Sequence, residues 1–428
     1  MSKKKILEDV KKYVETEFPK KRFIAGKTII PASGASISPD DISSIVESAL
    51  QGWFTDFKFC EKFRQEISKV TGKKYVVLTN SGSSASLLAI TACLDKFGDW
   101  SNAPVMTTAV GFPTTVAPII QNGAYPVFID IEPLTLSPNP DQFIETVQKH
   151  RDEGIPGWVF AHTLGFPFDE LFYRDALQDR FLLSDCCDAL GAEPIGEWAD
   201  VITLSFFPAH QITTGEGGAV CTDDEELFTL LKSYANWGRD CYCKPGQSNT
   251  CGKRFEHEFK NMPRGYDHKY TFSRFGYNLK MTEMQAALGF SQIKRLPEFV
   301  KARRFNYDRL VIGFPKKAGE YFDLIEAPEW SKPSPFGFPM VRKSGSPFQL
   351  PEFIRHLELH KISTRRLFGG NLTRQPMFEH FGKPGCDLSG SNKLMNDLLW
   401  VGCHPGIDNE MIDYMLEIIE SFFVERGL

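Results

Sequence analysis

Tyr75-Val76-Val77-Leu78-Thr79-Asn80-Ser81-Gly82-Ser83-Ser84-Ala85-Ser86-Leu87-Leu88-Ala89-Ile90 joins an apolar, β-branched run to a glycine–serine turn and then to an apolar helical stretch. A strand that enters a helix through such a turn presents backbone N–H groups able to hold a phosphate. On composition alone it is equally an ordinary strand–turn–helix junction. The same rhythm continues to about residue 220. Buried strands are expected at Pro104-Val105-Met106, Pro126-Val127-Phe128-Ile129, Trp158-Val159-Phe160, Phe181-Leu182-Leu183 and Val201-Ile202-Thr203-Leu204, with helical stretches between them. Alternation of that kind predicts an α/β fold, a mostly parallel sheet covered by helices, with ligands at the carboxyl ends of the strands.

Outside this region the signals change. Ile6, Val10, Tyr13, Val14 and Phe18 recur at helical spacing, and Ser38-Pro39-Asp40-Asp41 reads as a capped helix start. Residues 232–280 are rich in charge, Gly, Cys and aromatics with weak periodicity, and a loop that long is usually functional or disordered. A helix is expected from Met281-Thr282 onward through Leu296, and Ala192–Gly196 is expected to form a hairpin. The predicted organisation is an N-terminal helix and arm (1–36), a large domain (37–294) with the cysteine-rich insertion 232–280, and a smaller α+β domain (295–428).

Composition excludes several functions. The 428 residues are 42% hydrophobic and 24% charged, with net charge −5. That balance gives no electrostatic reason to expect nucleic acid or membrane as a partner. No apolar run approaches spanning length, and Lys3-Lys4-Lys5 is followed at once by acids, as in a solvated helix start. The expected compartment is the cytoplasm. There the ten cysteines are expected as thiols rather than as a disulfide framework. Cys93, beside Leu87-Leu88-Ala89-Ile90, reads as a small core residue, whereas Cys241, Cys243 and Cys251 sit among polar residues that no core explains.

Three further stretches carry the resemblance. Ser205-Phe206-Phe207-Pro208-Ala209-His210-Gln211-Ile212-Thr213-Thr214-Gly215-Glu216-Gly217-Gly218-Ala219 looks like the active-site signature of the sugar aminotransferases that use pyridoxal 5′-phosphate (PLP), the DegT/DnrJ/EryC1/StrS family. Ser184-Asp185-Cys186-Cys187-Asp188-Ala189-Leu190-Gly191 resembles their Glu-Asp-Ala-Ala-His/Gln-Ala-x-Gly stretch. Gly276-Tyr277-Asn278-Leu279-Lys280-Met281-Thr282 with Gln285-Ala286-Ala287 resembles Gly-x-Asn-x-Arg-Met-Thr-x-x-Gln-Ala-Ala. The motifs stand in the family's order, from roughly residue 20 to the C-terminus. The resemblance implies the fold-type I, aspartate-aminotransferase-like architecture. It implies that Asp185 pairs with the cofactor's pyridine nitrogen and that Phe112, in Gly111-Phe112-Pro113-Thr114-Thr115, stacks on the ring. Backbone amides of Ser83 and Ser84 and the Ser205 hydroxyl are expected on the phosphate. Asn278 is expected to reach the phosphate of a neighbouring subunit, which makes a homodimer. Lys280 stands where relatives often carry arginine.

Two departures narrow the chemistry. Where the family has the lysine that holds the cofactor as a Schiff base, this chain has His210, and an imidazole cannot form that imine. The expected bound species is therefore pyridoxamine 5′-phosphate (PMP), whose amine can condense with a sugar ketone. His210, of ordinary pKa near 6.5, is suited to take a proton from the cofactor's C4′ so that the hydroxyl beside the imine is expelled. Asp188 replaces the usual His or Gln and is paired with His210 as a catalytic candidate. Such enzymes are 3-dehydrases of nucleotide-linked 4-keto-6-deoxyhexoses.

The group acting on CDP-4-keto-6-deoxyglucose, in lipopolysaccharide O-antigen synthesis, carries a [2Fe–2S] cluster fed by a flavin iron–sulfur reductase. Cys241-Tyr242-Cys243, seven residues and Cys251 resemble its C-x-C-x7-C motif. The resemblance makes Cys187 the fourth ligand, sharing a face with Asp185 if the strand continues. By spacing alone zinc is the better fit, and structural zinc or free thiols are the plain alternatives. The alternatives are a cluster-free, glutamate-coupled 3-dehydrase of the colitose type, and a non-catalytic protein on an aminotransferase fold.

Overall fold

The computed structural model describes residues 1–18, 22–97, 102–150, 154–176, 180–241, 243, 246–381, 383–384 and 386–428; Tyr242, Lys244 and Pro245 of the cysteine segment fall outside them. Eight strands form the main sheet: β1 (Tyr75–Thr79), β2 (Pro104–Thr108), β3 (Tyr125–Ile129), β4 (Gly157–Ala161), β5 (Phe181–Asp185), β6 (Val201–Ser205), β7 (Gly218–Thr222) and β11 (Lys383–Pro384). Their order is β1-β7-β6-β5-β4-β2-β3-β11. β7 runs antiparallel to both its neighbours, β1 and β6, and the other pairs are parallel. A second sheet, wholly antiparallel, has the order β10 (Thr364–Arg366), β12 (Leu398–Val401), β9 (Phe338–Arg342), β8 (Phe322–Leu324).

The central strands are buried along their whole length, as both faces of a helix-covered parallel sheet require. Side chains alternate between two cores: Met106, Trp158, Leu182 and Ile202 on one face, Val105, Val159, Leu183 and Val201 on the other. A third core joins Phe338, Met340, Leu399 and Val401 of the small sheet to Ile412, Met415, Ile419 and Phe422 of the C-terminal helix. The N-terminal arm packs there too, through Phe23 and Ile30, and Ile30 pairs with Ile362.

Each strand expected between 75 and 205 is present, and Cys93 is fully buried. The N-terminal helix spans Lys3–Glu17, and Ser38 and Asp41 form a capping box on Pro39–Ala49. Three expectations are corrected. No single helix runs through Leu296: Glu283–Ile293 ends at Lys294, and Leu296–Gly313 starts afresh with Pro297 in its first turn. Ala192–Gly196 is not a hairpin, because Glu193 pairs with the distant Lys332 instead. β5 ends at Asp185, so strand geometry does not persist to Cys187. The segment 235–280 is almost all loop; its one described helical turn is His268–Tyr270.

Candidate functional site

The carboxyl ends of β5 and β6 and the helix that follows β1 converge on one site. Ser81 caps the helix Gly82–Lys96, its side chain accepting from the Ser84 N–H at 3.0 Å. Helix termini carry unpaired N–H groups and a positive dipole end. A Cβ on Gly82 would lie 2.5 Å from the Ser205 Cβ, so glycine is what lets this terminus approach the end of β6. Of the two amides expected on a phosphate, that of Ser84 is thus already engaged by Ser81. Ser83 lies beside it, its hydroxyl bonded to that of Thr114 at 2.9 Å.

Asp185 is 7% exposed. One carboxylate oxygen accepts from the Thr115 hydroxyl at 2.6 Å, the other from the Thr203 hydroxyl at 3.2 Å and the Cys187 N–H at 3.1 Å. Three neutral donors orient the carboxylate without supplying a cation, which leaves it suited to a protonated ring nitrogen. Phe112 precedes the helix Pro113–Gln121; it is 53% exposed and touches Phe368 edge to face, with centroids 6.2 Å apart. A ring left open beside a buried carboxylate and a glycine-cleared helix terminus fits an aromatic phosphate ester such as PLP or PMP.

His210 ends the turn after Phe207, whose carbonyl accepts from the His210 N–H at 3.0 Å. Its Nδ1 lies 3.5 Å from the Asp188 Oδ1. Burial, with the positive Arg303 nearby, pushes the imidazole down to about 3, so it is neutral. Burial and the charge of Asp185 push Asp188 up to about 7. The other Asp188 oxygen accepts from the Leu164 N–H at 3.2 Å. That amide is aimed by a left-handed residue, since Leu164 has φ of 53°, a conformation that costs energy and clusters at functional sites.

Gly165 follows, with φ of +85°, and a Cβ there would lie 2.1 Å from the Ser334 carbonyl and 2.9 Å from that of Asp188. Gly165→Ala is therefore expected to destabilise the protein by more than about 1 kcal/mol. Urea titration at constant m-value measures it.

Several further groups complete the site. Phe336 packs on the His210 ring (5.2 Å), on Phe368 (6.1 Å) and on Trp400 (5.4 Å), forming an aromatic wall beside the imidazole. The Gln211 amide donates to the carbonyls of Asp188 and Ser334. The Arg303 guanidinium lies under the His210 turn. The clue to Arg303 was available: Leu296, Phe299, Val300, Arg303 and Leu310 share one helical face, and all are buried. Asn278 is exposed, its side-chain oxygen accepting from Lys280 Nζ at 2.7 Å. Burial and the charge of Arg239 lower Lys280 to about 8.

The cysteines are only partly brought together. Cys241 and Cys243 lie near one another. Burial lifts the Cys241 thiol; at Cys243 burial acts the same way, but hydrogen bonds with Thr250 and Cys241 and the charge of Lys269 hold it below the ordinary range. Both border a cavity of about 930 Å³ that also meets Lys280. Cys251 faces His268 instead, Sγ to Nε2 3.6 Å. Cys187 stays beside Asp185, and burial with that negative charge pushes its thiol well up. Among the described residues, the one group of three ligand atoms within 4.8 Å of one another is His162, Glu170 and Cys186. Its partners are already satisfied by the His162–Glu170 bond at 2.8 Å, the Ser184 hydroxyl and the Trp198 N–H. The Cys241–Cys243 pair suits one iron, while Cys187 and Cys251 do not converge on it here.

No helix among the described residues is long and apolar enough to cross a membrane. Residues 35–420 match the DegT/DnrJ/EryC1/StrS aminotransferase family. The chain is 42% identical to the lipopolysaccharide biosynthesis protein RfbH of Salmonella typhimurium, over 97% of this chain and 96% of the relative. It is 41% identical to the dTDP-4-dehydro-2,6-dideoxy-D-glucose 3-dehydratase of Saccharopolyspora spinosa, over 100% and 93%. Among solved structures it resembles the E. coli GDP-4-keto-6-deoxy-D-mannose-3-dehydratase with bound hydrated PLP. The TM-score is 0.80 at 26% identity, covering 92% of this chain and 100% of that one.

Proposed function

This chain belongs to the DegT/DnrJ/EryC1/StrS aminotransferase family, and from that premise we propose that it removes the C3 hydroxyl of a nucleotide-linked 4-keto-6-deoxyhexose, using PMP. The observation that carries the reading is the largely enclosed imidazole of His210 at the family's lysine position, its Nδ1 3.5 Å from the Asp188 Oδ1. When bound, the cofactor supplies an amine for the sugar ketone and a ring that accepts electrons.

The chain's own groups do the rest. Asp185 would keep the ring nitrogen protonated. Phe112 would cover one face of the ring, and Ser205 with the first turn of Gly82–Lys96 would hold the phosphate. His210 would accept the proton from C4′, with Asp188 orienting the imidazole. Phe336, Phe368 and Trp400 exclude water from the reacting carbons. The 3-dehydratase names of the relatives support the reaction class; those names carry dTDP and GDP, and assays with CDP-, dTDP- and GDP-linked 4-keto-6-deoxyhexoses decide which this chain prefers. Exposed Asn278 supports a homodimer in which each subunit reaches the other's phosphate.

The finer proposal is a [2Fe–2S] cluster on Cys187, Cys241, Cys243 and Cys251, with a flavin iron–sulfur reductase as electron donor, in a cytoplasmic enzyme of O-antigen synthesis. Cys241 and Cys243, which border one cavity, support it. Anaerobically purified protein is expected to hold about two irons and two sulfides per chain, and Cys243→Ser to lose them. The fold shared with the GDP-4-keto-6-deoxy-D-mannose-3-dehydratase supports the second reading, a glutamate-coupled 3-dehydrase without a cluster; protein that stays free of iron after reconstitution and dehydrates with glutamate present establishes it.

A further inference from the structure

Arg303 is 1% exposed, on the apolar face of the helix Leu296–Gly313. Burying a guanidinium is costly unless its donors are met, and replacing buried charges with apolar groups is often neutral or stabilising. No carboxylate lies within 4.0 Å of it among the described residues. Instead Nη1 donates to the carbonyls of Pro335 and Phe336, both at 3.1 Å. Nη2 donates to those of Ala209 at 3.4 Å and His210 at 3.2 Å. Nε has no partner among the described residues. Two acceptors thus belong to the turn that carries the imidazole, and two to the segment whose Phe336 ring packs against it.

We propose that Arg303 is a positioning residue for His210, its planar fork tying the His210 turn to Pro335–Phe336 so that the imidazole stays lodged between Asp188 and the aromatic wall. This rests on the reading of His210 as the proton acceptor. The fork is what matters: a lysine ammonium keeps the charge but places its three donors on one atom, and it cannot span both carbonyl pairs. Misplacing a reacting group by about 1 Å costs on the order of 10²-fold in rate.

Arg303→Lys, made in the full cofactor-loaded chain, is expected to lower kcat by about 10- to 100-fold with KM within about twofold. Because Arg303 acts through His210, adding Arg303→Lys to His210→Asn should cost nothing more. A second readout needs no turnover. In protein labelled with [2-13C]histidine, the His210 signal, identified by its loss in His210→Asn, should shift or split in Arg303→Lys. The signal of His404, the other histidine close to Arg303, reports general disturbance. Wild-type kcat with an unmoved His210 signal in Arg303→Lys overturns the proposal, as do losses that add fully in the double variant. If the wild-type chain turns over none of the nucleotide sugars, the functional reading fails, and the His210 signal alone decides the role of Arg303.

Discussion

His210→Asn is expected to lower dehydration by about 10²- to 10⁴-fold, the usual worth of a positioned general base, while cofactor binding persists. Asparagine keeps a polar group of similar reach but cannot take a proton at neutral pH. The residues proposed to hold the cofactor are left untouched, since Asp185, Phe112 and Ser205 lie on other elements. The result should therefore be a fall in kcat with nearly unchanged PMP affinity, read by rapid kinetics and by titration of the cofactor's absorbance. The companion His210→Lys restores the family's amine. It should trap PLP as an imine visible in the absorption spectrum and lose dehydration. Activity in His210→Asn close to wild type would remove His210 from the chemistry.

Asp185→Ala is expected to weaken cofactor binding by roughly 10- to 150-fold, the equivalent of the 1.5–3 kcal/mol of a hydrogen bond to a charged group. The physical reason is the set of donors around it. The hydroxyls of Thr115 and Thr203 and the Cys187 N–H all point at this carboxylate, and its removal leaves three donors and a ring cation without an acceptor. Asp185→Asn keeps the shape but turns a donor toward some of those donors, so it should recover little. Equilibrium dialysis with PMP measures both. Affinity within twofold of wild type in Asp185→Ala would take this residue away from the ring nitrogen.

Most of the large sheet was legible because its strands are short apolar runs separated by helical stretches. β7 was not, since Gly218-Ala219-Val220-Cys221-Thr222 follows a glycine-rich loop and its antiparallel place between β1 and β6 is set by tertiary pairing. The break before Leu296 was missed although Pro297 marks a helix start. Asp185 and His210 were readable from motif resemblance, and Asp188 as a departure from it. What escaped was what depends on non-local approach: the Leu164 amide on Asp188, the Phe336 ring on His210, and the Arg303 fork, which joins residues about a hundred positions apart. The resemblance implied four converging ligands, and among the described residues only Cys241 and Cys243 lie near one another. A metal site is assembled by its metal, and ligand loops need not converge without it.

The most direct test of C3 dehydration needs no reductase and no assumption about the cysteines. The PMP-loaded chain is incubated with CDP-, dTDP- and GDP-4-keto-6-deoxyhexoses in ¹⁸O-enriched water, and the sugar is reduced at C4 and fragmented in a mass spectrometer. Reversible loss of the C3 hydroxyl predicts ¹⁸O at C3 with at least one of the three, and none in His210→Asn. Unlabelled C3 with each nucleotide, together with a 4-amino sugar as product, would contradict the account and make the chain an aminotransferase.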